Sequence, residues 1–230
     1  MQTAAFLDYL EREKRSIIDK CTLCGTCVEV CPMPQYDETM TQADPVAVVT
    51  GIIAFLRSGN ISPEAQAWAT ACSNSGRCIP ACPEGVNPRK MLALTRLLLH
   101  QQRPVEEQEK AAQAARSSFK AMGETIRLLL GVQLQPADIQ RLLPGAIHAR
   151  QRPAEVVFYF GCNILQTPDI ALTVLAVLDR LEVDYDVLGG TGNCCGITFM
   201  RAGQPTTAHA QASQTMHNMA AFSCSSTGRC

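Results

Sequence analysis

Phe6, Leu7, Leu10, Ile17 and Ile18 recur at helical spacing and predict an amphipathic helix over residues 3–18. Asp44-Pro45 and Ser62-Pro63 each place a capping side chain before a proline that suits the first helical position. They predict one helix to about Arg57, stopped at Gly59-Asn60, and a shorter one through Trp68. Asn87-Pro88 opens another, rich in leucine from Leu92 to Leu99. Residues 104–131 read as helical in two pieces broken near Gly123, with Glu106, Glu107, Glu109 and Lys110 on a solvated face. Strand signal is almost absent before Leu143.

Past a Pro-flanked polar stretch, Pro144-Gly145 to Arg152-Pro153, the pattern changes. Val156 to Phe160 is a continuous apolar run, the mark of a strand buried on both faces. Thr167-Pro168-Asp169 starts a helix whose Ile170, Val174, Val177, Leu178 and Leu181 are expected to form its apolar stripe. Val183 to Leu188 reads as a second strand, so the segment is a βαβ unit with a parallel sheet. A last helix is expected over roughly 204–221. The expected fold is therefore α + α/β: a helical domain over 1–143, a linker over 144–153, and a small parallel α/β domain over 154–230.

Composition narrows the classes. A net charge of −1 gives no sign of nucleic acid or an anionic membrane as partner. Twelve cysteines without a signal peptide argue for ligation rather than disulfides, in a cytoplasmic protein. The longest greasy stretch, Val46 to Leu56, is too short to span a bilayer, which leaves only peripheral membrane association open.

The cysteines carry the chemistry. Cys21-Thr-Leu-Cys24-Gly-Thr-Cys27-Val-Glu-Val-Cys31-Pro32 is the ligand run of a bacterial-type ferredoxin cluster. A tight C-x2-C-x2-C turn offers one thiolate to each of three iron corners, and Gly25 gives the backbone room to pass close to sulfide. Zinc or disulfides are the blander readings, but zinc usually takes two separated ligand pairs. Cys72-Ser-Asn-Ser75-Gly-Arg-Cys78-Ile-Pro-Ala-Cys82-Pro83 repeats the run, with Ser75 where the second cysteine would stand. The fourth cysteine of each run serves the other cluster. Cys21, Cys24, Cys27 and Cys82 then complete a [4Fe-4S] site, and Cys31, Cys72 and Cys78 are left as a set of three. Three thiolates suit a [3Fe-4S] cluster. A [4Fe-4S] cluster completed by serine or water, and loss of the second cluster, stay open.

These runs, with the helical insert between them and Gly85-Val86-Asn87-Pro88 behind, resemble the helical ferredoxin domain of succinate dehydrogenase and fumarate reductase iron–sulfur subunits. The same domain occurs in heterodisulfide reductase C-type subunits and in glycolate and anaerobic glycerol-3-phosphate dehydrogenases. The resemblance covers roughly residues 15–100 and implies [3Fe-4S] on Cys31, Cys72 and Cys78.

Cys162 follows the first strand, and Cys194-Cys195-Gly196 follows the second behind Gly189-Gly190-Thr191-Gly192-Asn193. Both groups leave the carboxyl ends of parallel strands, where open α/β sheets bind ligands. Cys162, thirty-one residues, then Cys194-Cys195-Gly196 is similar to the cysteine-rich CCG domain of heterodisulfide reductase B- and D-type proteins. In that family such cysteines hold a noncubane [4Fe-4S] cluster that cleaves a disulfide. The family continues with a C-x2-C pair, whereas this sequence has Cys224 and Cys230 with Thr227 between them, so the motif is expected to be incomplete. The resemblance implies a catalytic thiol/disulfide site at Cys162, Cys194 and Cys195, with Cys224 and Cys230 as further ligands.

The combined reading is an oxidoreductase: an iron–sulfur electron-transfer subunit of a heterodisulfide reductase-like complex. Its partners would be a flavoprotein or reductase subunit and a further CCG-domain subunit in a hetero-oligomer. The alternatives are the iron–sulfur subunit of a quinone-linked lactate, glycolate or glycerol-3-phosphate dehydrogenase, and a non-catalytic partner-binding subunit. His100, His148, His209 and His217 show no metal-ligand pairing and are expected on solvent or helix faces.

Overall fold

The computed structural model describes residues 2–143 and 154–223. The expected linker, 144–153, and Cys224 and Cys230 lie outside the described residues. The chain divides into two compact units, one of Met1–Lys110 with Arg201–Gly203, the other of the remaining residues from Ala111.

The first unit is helical. Helices α1 (Gln2–Lys20), α3 (Pro45–Ser58), α4 (Pro63–Ala71) and α6 (Pro88–Gln101) pack on one another, with the short turns α2 (Thr26–Glu29) and α5 (Cys78–Ala81) inside the cysteine runs. The caps form as the sequence predicts. The Asp44 carboxylate accepts from the Ala47 amide at 2.9 Å, Ser62 Oγ from Ala65 at 3.3 Å and Asn87 Oδ1 from Lys90 at 3.1 Å. Each such cap contributes about 1 kcal/mol. Val48, Val49, Ile52, Ile53 and Phe55 of α3 are buried with Trp68 and Leu92, so the greasiest stretch of the sequence is the core. Lys90 ties α6 to α1 by donating to Glu13 at 2.6 Å and to Tyr9 at 3.2 Å.

Among the described residues no single helix is long and apolar enough to cross a membrane. α3 and α4 meet the composition together but bend by 93° at their joint.

One helix, α7 (Val105–Gln133), runs unbroken where two pieces were expected. A mid-helix glycine costs only about 1 kcal/mol against alanine. The buried residues Ala115 and Ile126 flank Gly123 and hold the helix through it. The short helix α8 (Pro136–Leu142) follows.

In the second unit β1 (Val156–Phe160) and β2 (Tyr185–Gly189) pair in parallel, Val156 opposite Tyr185 through Phe160 opposite Gly189, with α9 (Pro168–Arg180) between them. Helices α10 (Ile197–Arg201) and α11 (Pro205–Ser223) complete it. β1 is not buried on both faces as expected: Val156 is exposed and only Phe160 of the strand is fully buried. The described sheet has two strands, so each has one neighbour. The expected stripe of α9 also differs. Ile170, Val177 and Leu181 are exposed, and the buried side is Ala171 and Leu175. Apolar residues surround this helix, so their spacing does not single out one face, and the i, i+4 pair with the small alanine makes the close contact.

Candidate iron–sulfur and thiol sites

The first cysteine run folds as a tight loop whose shape is set by two left-handed residues, Leu23 at φ 63° and Gly25 at φ 81°. A side chain at Gly25 would be strained and would also meet Pro45, since a Cβ there lies 3.0 Å from the proline Cβ. The close neighbour is thus the start of α3. Cys21, Cys24 and Cys27 from this loop and Cys82 from the second run line one cavity, walled by Val49, Val86 and Met91. The second run brings Cys72 and Cys78 together with Cys31, so the last cysteine of each run stands with the other run's set.

The electrostatics follow from burial. Desolvation, then the neighbouring thiols of Cys21, Cys24 and Cys78, pushes Cys27 up to about 12. Burial likewise raises Cys21 and Cys78. Cys24 is exposed and shifts the other way. The Thr26 hydroxyl first, then its backbone N–H and the Thr22 hydroxyl, hydrogen-bond its sulfur and favour the thiolate. Buried thiols that resist ionisation become good thiolates when a metal replaces the proton. An all-sulfur donor set around an apolar cavity fits an iron–sulfur cluster. Among the described residues no three His, Cys, Asp or Glu side chains are grouped to hold a single metal ion. One tetrahedral zinc, with bonds of about 2.3 Å, would draw its thiolates to roughly 3.8 Å from each other, whereas a cubane gives each thiolate its own iron.

The third group sits at the carboxyl ends of β1 and β2. A helical turn, Cys162–Gln166, follows β1, and another, Thr191–Asn193, follows β2 and delivers Cys194 and Cys195. The structure brings these three together. Cys194 is buried, lies within hydrogen-bonding reach of the Cys162 thiol, and has Cys195 beside it. Burial pushes it up to about 11. Cys195 is exposed. Gly196 holds φ 79°, and a Cβ on it would sit 2.4 Å from the carbonyl oxygen of Ala208, so the turn after the cysteine pair lies directly against α11.

Five polar residues around this turn carry no role in the sequence pattern. Tyr159 donates its hydroxyl to the Asn193 carbonyl at 3.0 Å, and Asn193 Nδ2 donates to the Gly189 carbonyl at 3.0 Å. Gln211, Thr215 and Asn218 of α11 reach the same turn from the other side. Their i, i+4, i+7 spacing was the one available signal, and a polar helical stripe ordinarily reads as a solvent face.

Comparison with known proteins bears on both halves. Residues 17–86, which hold all seven cysteines of the two runs, match the 4Fe-4S dicluster domain family. The chain is also 23% identical over 210 residues to the D-type chain of the dihydromethanophenazine:CoB–CoM heterodisulfide reductase of Methanosarcina mazei. That match covers 81% of this chain and 47% of the relative, so the chain spans about half the length of the curated protein it matches. No solved structure matches. The chain is an iron–sulfur protein similar to the D-type heterodisulfide reductase protein, and its fold, a helical first unit and a second unit with a small parallel sheet, agrees with the α + α/β expectation.

Proposed function

We propose that this chain is the electron-transfer subunit of a heterodisulfide reductase-like complex, passing electrons between a partner flavoprotein or reductase and a thiol/disulfide site at Cys162, Cys194 and Cys195. In this reading Cys21, Cys24, Cys27 and Cys82 hold a [4Fe-4S] cluster, and Cys31, Cys72 and Cys78 hold the second, as [3Fe-4S]. The observation that carries it is the exchange of cysteines between the two runs, with Cys82 on the cavity of the first loop and Cys31 beside Cys78. Such an exchange is what a two-cluster ferredoxin needs and what two independent zinc sites do not.

An iron–sulfur cluster supplies one-electron chemistry at a potential set by charge, hydrogen bonds to sulfur and exposure. The chain's own residues set those terms. Val49, Val86 and Met91 wall the first cavity, while Thr22 and Thr26 donate to Cys24. Cys24 is exposed, which puts one edge of the site within reach of a partner. The test is co-purification under anaerobic conditions from the native source, with a thiol-producing assay on a disulfide substrate. A flavoprotein or reductase that reduces the chain supports the proposal. A complex that oxidises a hydroxy acid and reduces quinone would replace it.

A further inference from the structure

Helix α11 meets the turn before the cysteine pair with three different side chains, each on a different residue. Gln211 Nε2 donates to the Gly192 carbonyl at 3.3 Å, Asn218 Nδ2 to Asn193 Oδ1 at 2.7 Å, and Thr215 Oγ1 to the Cys194 carbonyl at 2.9 Å. We infer that Gln211, Thr215 and Asn218 are positioning residues that fix the Gly192–Cys194 backbone so that Cys194 is turned inward to Cys162 while Cys195 stays outside.

Packing alone does not require these residues. The close approach of Gly196 to Ala208 already seats the turn on α11, and an apolar helix face would serve that contact. The polar stripe does something packing cannot: it fixes three successive residues by direction as well as by distance. Tyr159 holds the Asn193 carbonyl from β1, so the turn is gripped from strand and helix at once. Thr215 and Asn193 are buried, which shields these bonds from competing water. Thr215 is the pivot. Its single hydroxyl proton stands between the Cys194 carbonyl at 2.9 Å and the Gln211 carbonyl of its own helix at 3.1 Å, so losing it releases the one of the three stripe bonds that ends on a cysteine.

The consequence is a fixed sorting of adjacent thiols: extended backbone at Cys194, φ −80° and ψ 145°, turns neighbouring side chains to opposite sides, and the stripe sets which of the two is turned to Cys162. The inference rests on the proposed reading of this trio as a thiol/disulfide site for its functional meaning, but its test reads geometry alone. The full chain, purified anaerobically, is alkylated with iodoacetamide before and after treatment with a ferrous chelator, and each cysteine is followed by mass spectrometry. Within this trio, in the chelator-treated chain, Cys195 should label first and Cys194 last. Thr215→Val should raise the Cys194 rate at least tenfold relative to Cys195, and Thr215→Ser should restore protection, while Cys27 labelling stays as in the parent chain. Should Thr215→Val fail to fold, Gln211→Ala, at an exposed end of the stripe, should raise the Cys194 rate about threefold. Unchanged Cys194 protection in the folded variant overturns the inference. So does a serine variant that behaves like valine. A chain without iron would sink the cluster reading and leave this result standing.

Discussion

Leu23 and Asn74 hold the same left-handed backbone, φ 63° and 61°, at the same step of the two cysteine runs. Gly25 and Gly76 match likewise, at 81° and 77°. A non-glycine residue in this region costs about 1–3 kcal/mol and persists where its surroundings dictate it. Asparagine tolerates the region better than leucine. The second run thus keeps the backbone of a ligand loop although Ser75 stands at the position of Cys24. Cys72 adds a weak contact to Asn74 Oδ1 at 4.0 Å.

That shared backbone leads to the first prediction. Ser75→Cys should place a fourth thiol without refolding the loop. Electron paramagnetic resonance of the oxidised parent chain should show a three-iron signal, and the variant should lose it in favour of a four-iron centre on reduction. A variant spectrum identical to the parent would mean that Ser75 does not stand at the missing corner.

The exchange between runs is tested by its two crossing cysteines. Cys82→Ala should lose the cluster of the first run, and Cys31→Ala should lose the second, each with a fall in iron per chain and retention of the other signal. If each substitution instead disturbed its own run's cluster, the pairing would be wrong.

Gly196 meets both conditions that forbid a side chain, φ 79° and a carbonyl 2.4 Å from the Cβ position. Gly196→Ala should destabilise the second unit by at least about 2 kcal/mol, read as a lower midpoint in urea. An alanine variant as stable as the parent would contradict the close approach of α11.

His100 gives a pH dependence outside the sulfur sites. Of the expected solvent or helix faces it takes a buried helix face, on α6, and desolvation, with the Arg103 guanidinium second, holds its imidazole below the ordinary value of 6.5. The unfolded chain therefore takes up this proton at a higher pH than the folded one. Its contribution to stability is complete above about 6.5 and is lost as the pH falls below that value towards the lowered folded-state pKa. Urea midpoints of parent and His100→Gln, compared from pH 7.5 to 5, should fall more steeply for the parent. Parallel curves would refute the burial argument.

Much of the fold was legible because local rules and tertiary packing agree. Asp44-Pro45, Ser62-Pro63 and Asn87-Pro88 start helices by chemistry that needs no partner, and the unbroken run Val156–Phe160 has little choice but a strand. The misreadings occur where packing overrides pattern. Gly123 lies within a long helix whose neighbours hold it, and α9 is apolar on more than one side, so spacing could not tell Ala171 and Leu175 from Ile170 and Val177. In the sites, ligand spacing made the cysteines legible. Their supports were not, because Gln211, Thr215 and Asn218 act across twenty residues of intervening chain and look like solvent-facing positions until the turn is seen against them.

The seven cysteines from Cys21 to Cys82 are proposed to hold two iron–sulfur clusters. A Mössbauer spectrum of the chain produced with iron-57 and kept anaerobic tests this proposal most directly. Two cluster components are expected from this domain, a [4Fe-4S] centre and a [3Fe-4S] centre. A spectrum with no iron–sulfur component, or with mononuclear iron alone, would contradict it.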